Sequence, residues 1–90
     1  MPEYLLEFYA PRDDARGAGA ESESARRAAE ELTRRGTAIS YRRSIFVPDE
    51  ETCFLLFEAE SADAVRDAAV LAALPSGRIT SVYPQSCDED

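Results

Sequence analysis

Two carboxylates, a guanidinium and a phenol are the groups in this chain whose types and spacing can do chemistry together: Glu7, Glu58, Arg43 and Tyr41. Two carboxylates in an apolar setting drive each other's pKa apart, which makes one of them a candidate general base. An arginine or tyrosine beside them would stabilise a developing enolate or hold an anionic group. The rest of the inventory is narrow. All ten basic residues are arginines, with neither lysine nor histidine. No side chain therefore has an unperturbed pKa near neutrality, the commonest metal ligand is missing, and no side-chain amine is present for a Schiff base. Cys53, Cys87 and Asp88 are the remaining weak candidates for holding a metal. Cys53 sits among Phe54, Leu55 and Phe57, where a thiol usually behaves as a small hydrophobe.

The elements that must position these groups follow from periodicity. Residues 3–10 read as a strand closed by Pro11, and residues 12–20, with two glycines and no apolar period, read as a mobile connection. A helix is predicted from Ser22 or Ser24 to Arg35, with Ala25, Ala28, Ala29 and Leu32 on its apolar stripe. Glu23/Arg27, Glu30/Arg34 and Glu31/Arg35 form acid-first pairs four residues apart on that helix, and Gly36 ends it. Residues 37–47 and 52–59 read as two strands joined by a loop at 48–51. Ser61 caps a second helix with Asp63 in its first turn and Val65, Ala68, Ala69 and Ala72 inward; Pro75 ends it after Leu74. Residues 78–83 form a last strand. The order β-α-β-β-α-β with right-handed crossovers gives an α+β, ferredoxin-like domain: a four-stranded antiparallel sheet with both helices on one face.

Strand alternation then divides the sheet. If Val47 lies opposite Thr52, Cys53, Leu55, Phe57 and Ala59 face the helices together with Arg42, Ser44 and Phe46. Tyr41, Arg43, Ile45, Val47, Phe54, Leu56 and Glu58 fall on the uncovered face, with Tyr41 opposite Glu58 and Arg43 diagonal to it. Ile45, Val47, Phe54 and Leu56 make an apolar patch of the kind that marks an interface. The expectation is a homodimer in which two sheets pair face to face as a dimeric α/β barrel. Glu7, Tyr41, Arg43 and Glu58 would then line a ligand pocket in the cleft, or form a structural ion pair at the interface.

Charge narrows the partners. Eighteen acidic residues leave a net charge of −8, which repels phosphate backbones and anionic lipid, so neither nucleic acid nor membrane is an expected partner. Glu7 breaks the apolar run Tyr4-Leu5-Leu6, and no secretory pattern follows. Two cysteines make no disulfide framework, and a reduced, cytoplasmic chain is expected. Residues 1–84 are read as one domain and 85–90 as a solvated acidic tail.

The run from Arg43 through Val47-Pro48-Asp49-Glu50-Glu51-Thr52-Cys53 to Phe57-Glu58-Ala59 has the look of a signature, as does Ser61-Ala62-Asp63-Ala64-Val65-Arg66 followed by Leu74-Pro75 and Ile79. Together, over residues 4–82, they resemble a family of small bacterial proteins whose better-described relatives are nickel-binding, nickel-responsive proteins. The resemblance implies a ferredoxin-like fold paired into a dimeric barrel, and nickel as a possible ligand. Nickel favours imidazole and N/O donors, so the absence of histidine weighs against it. The functional expectation is a non-catalytic homodimeric protein that binds a small ligand or metal ion. The alternatives are a cofactor-free isomerase, cyclase or monooxygenase of the dimeric-barrel type, with Glu58 or Glu7 as base, and a regulatory module whose acidic surface recruits a basic partner.

Overall fold

A computed structural model describes residues 1–13, 15–75 and 77–83, with residues 15–18 described in their backbone alone. The chain runs β1 (Glu3–Tyr9), α1 (Ala15–Arg34), β2 (Ile39–Val47), a single 3-10 turn at Pro48–Glu50, β3 (Thr52–Ala59), α2 (Ala62–Leu71) and β4 (Arg78–Val82). The strands pair antiparallel in the order β2-β3-β1-β4. Each crossover therefore skips a strand, and this is the ferredoxin-like arrangement expected from the element order. The acidic tail at 85–90, with Cys87 and Asp88, lies outside the described residues.

Both helices cover one face. Leu6 and Phe8 of β1, Cys53, Leu55, Phe57 and Ala59 of β3, Ala25, Ala28 and Ala29 of α1, and Val65 and Ala68 of α2 are all buried. Small residues on the helix stripes let α1 and α2 lie close to the sheet, while the sheet supplies the bulk. No charged or polar residue among those described is buried. The core is held by apolar burial, at roughly 25 cal/mol per Å².

Two helix boundaries differ from expectation. Helix α1 begins at Ala15, not at Ser22 or Ser24, so much of the stretch read as a loop is helical. Alanines at 15, 18 and 20 favour the helix enough to carry Gly17 and Gly19, each of which costs only about 1 kcal/mol relative to alanine. Its end is as expected: Gly36 has φ 101°, and the Thr37 amide donates to the Leu32 carbonyl at 2.9 Å, closing a Schellman turn. Helix α2 starts at the predicted cap, where the Ser61 hydroxyl accepts from the Ala64 amide at 3.2 Å. It stops at Leu71, three residues short of Leu74. Ala73 turns left-handed there, with φ 57°, and the Leu74 amide donates to Ala69 at 3.0 Å.

Candidate functional site

The β2–β3 hairpin sets which side chains reach the uncovered face. Val47 pairs with Thr52, Phe46 with Cys53 and Ile45 with Phe54, as the loop length implies. The 3-10 turn closes on Glu51, which has φ 47° and takes two bonds back to the start of the chain: its carbonyl accepts from the Ala10 amide at 2.9 Å and its carboxylate from the Arg12 amide at 3.1 Å. Arg12 also reaches Asp49 at 3.1 Å. The loop is thereby fixed to the end of β1, which holds the hairpin in register.

Regular alternation fails at one place. A β-bulge lies between Tyr41 and Arg43, so that Arg43 pairs with Leu56 and Tyr41 with Phe57. Arg42 is the extra residue. Tyr41 is consequently not opposite Glu58, a position that Ser40 takes. It turns instead to the helix side, where its ring meets Phe57 edge-to-face with centroids 5.8 Å apart. Arg42, expected on the helix side, reaches Glu58 at 3.8 Å.

The candidate pocket of Glu7, Tyr41, Arg43 and Glu58 is therefore not assembled within one chain. Glu7 lies opposite Phe54 and Glu58 opposite Glu3. Four residues of β3 separate these two carboxylates along the strand, roughly 13 Å at the rise of an extended chain. Each has its own arginine: Glu7 with Arg78 at 3.6 Å and Glu58 with Arg42 at 3.8 Å. Arg43 makes no ion pair among the described residues. Neither Arg42 nor Arg78 belongs to the set expected from the sequence to form the pocket. No residue pattern marks either, because Ile45-Phe46-Val47 already departs from strict alternation in β2.

Between these polar corners the face is apolar. Leu5, Ile45, Val47, Phe54 and Leu56 occupy its centre, and Ile45 is 47% exposed. The charged set on this face is balanced: Glu3, Glu7 and Glu58 against Arg42, Arg43 and Arg78.

A metal centre finds little here. Cys53 is a free thiol buried with no exposure between the sheet and the helices. Burial, with a smaller contribution from Glu21, pushes its pKa up, which disfavours the thiolate that binds metals. Glu7 and Glu58 are on the other face. Among the described residues no group of three Cys, Asp or Glu side chains is placed to hold an ion, so a nickel centre does not fit the donors that these residues bring together. No helix of the described residues is long and apolar enough to cross a membrane.

No curated protein and no solved structure matches the chain. Residues 10–82 match the nickel responsive protein SCO4226-like family, a span that takes in both helices, the bulged hairpin and the last strand, and the chain belongs to that family.

Proposed function

We propose that this chain is a non-catalytic, cytoplasmic, homodimeric binding protein whose two uncovered sheet faces pair as a dimeric α/β barrel. One observation carries the reading. The face opposite the helices centres on Leu5, Ile45, Val47, Phe54 and Leu56, while all its charges cancel in a chain of net charge −8. An apolar centre with a balanced polar rim is self-complementary, and two copies bring no net like charge from these surfaces together. The nickel in the family's description stays outside this reading, because the donors fit it poorly. Ligand access in such a dimer is at the polar corners, where Glu7, Arg43 and Glu58 stand with Arg78 and Arg42. Tyr41 takes no part.

Light scattering tests the pairing. The unmodified protein is expected as a dimer at micromolar concentration. Phe54→Asp, which would bury an unpaired carboxylate at the centre of the face, is expected to give monomers. A stable monomer of the unmodified chain at that concentration would overturn the proposal.

A further inference from the structure

Among the described residues, most of the charges on the uncovered face are answered within the chain: Glu7 has Arg78 at 3.6 Å and Glu58 has Arg42 at 3.8 Å. The two that remain are opposite in sign. Arg43 and Glu3 make neither a hydrogen bond nor an ion pair among the described residues. Glu3 is only half-exposed, and it stands directly opposite Glu58. Like charges so placed repel, and Arg42 reaches Glu58 but not Glu3. Arg43 is exposed and has Leu56 as its rung partner. A face that cancels as a whole, yet leaves one charge of each sign unanswered, is completed by a second copy of itself.

Sheet geometry permits the contact. Arg43 is level with Leu56 and Glu3 with Glu58, and these are successive same-face residues of β3. Their rows are roughly 7 Å apart along the strands, and packed sheets are about 10 Å apart. Because β3 lies between β2 and β1, a two-fold axis running along β3, midway between the sheets, lays β2 of one copy over β1 of the other. The α-carbons of Arg43 and the partner's Glu3 are then roughly 12 Å apart, a gap that an extended arginine and a glutamate close together. Symmetry makes the contact twice. In this arrangement β4 has no strand above it, and the Glu7–Arg78 corner is left open.

We propose that Arg43 of each protomer pairs with Glu3 of the partner subunit, and that this reciprocal contact fixes how the two sheet faces lie on each other. The inference rests on the face-to-face pairing proposed above.

Sedimentation equilibrium of the full chain tests it. Arg43→Glu and Glu3→Arg are each expected to raise the dimer dissociation constant about tenfold or more, since each sets like charges against one another twice. Combined in one chain they restore the pairing with its signs exchanged, and the constant should return to within about threefold of the parent's. Arg43→Gln and Glu3→Gln, which add no repulsion, should each weaken the dimer about two- to fivefold, and together no more than either alone. An unmodified chain that stays monomeric would remove the pairing of faces, and this contact with it. A dimer indifferent to the single variants, or a double exchange no tighter than the single ones, would overturn the Arg43–Glu3 contact and leave the pairing of faces standing.

Discussion

At Gly77 a β-carbon would stand 2.3 Å from the carbonyl oxygen of Glu7 and 3.1 Å from its carbon. That atom is backbone in the β1–β4 pairing, so it cannot swing aside as a long side chain does. Gly77→Ala is therefore expected to push β4 away from β1 and to cost about 1–3 kcal/mol, the usual penalty for overpacking. Ala73 presents the reverse case. Its left-handed backbone suits glycine, and Ala73→Gly should stabilise by about 0.5–1 kcal/mol through relief of that strain. Urea denaturation of the two variants is the check: midpoints should move in opposite directions although each differs from the parent by one carbon. A stabilised Gly77→Ala beside a destabilised Ala73→Gly would mean that glycine content alone, through the entropy of the unfolded chain, sets the effect.

Helix α1 shows how local charge supports an element. Its exposed side is a ladder in which Glu23 serves Arg26 and Arg27, Glu30 serves Arg26, and Glu31 serves Arg34 and Arg35. The hydrogen bond from Arg26 holds the Glu23 carboxyl below its usual pKa, with further help from Arg27, and the bonds from Arg34 and Arg35 do the same for Glu31. Folded pKa values below the unfolded ones stabilise the native state above the ordinary carboxylate value of about 4.3, and that contribution disappears as pH falls through the depressed values. Circular dichroism should thus record lower melting temperatures in acid than at neutral pH, with Glu23→Gln narrowing the gap. A gap left unaltered by that substitution would remove Glu23 from the explanation.

The helices and the hairpin differ in what could be read in advance. The Gly36 stop and the Ser61 cap each depend on contacts within a few residues, and both were legible. So were the buried alternation from Cys53 to Ala59 and the tight pairing of Val47 with Thr52. The first turns of α1 were missed because glycines at 17 and 19 look like breakers, while the alanines around them act cumulatively. Tyr41 was misplaced for a different reason. Alternation is a parity count, and one bulge beyond the countable loop inverts every assignment upstream of it. Glu7, Glu58 and Arg43 kept their predicted face because they lie on the loop side of the bulge or on other strands.

For the whole molecule, one sheet face is sealed by helices and the other is apolar, charge-balanced and uncovered. Cys53 is inside the sealed layer, and Glu7 and Glu58 are on the open one. Calorimetric titration of the full chain with Ni²⁺ is expected to show no sub-micromolar site dependent on Cys53, so that Cys53→Ser leaves the isotherm unchanged. A tight site abolished by that substitution would require the core to open around the ion.

The bulge also means that β2 carries one residue more than its ladder has rungs. Deletion inside a strand ordinarily turns half of it inside out, yet removal of Arg42 would leave Ile39, Ser40 and Tyr41 facing as they do now, because the residue lost is the one that the pairing already skips. The interior of this strand thus holds a position where the chain can be shortened without rewriting either surface. A chain lacking Arg42 is expected to fold, with a melting temperature within a few degrees of the parent, corresponding to a change of about 1 kcal/mol or less. One lacking Ser44, two residues further on, is expected to fail, because there the count of rungs and residues agrees and any deletion breaks it.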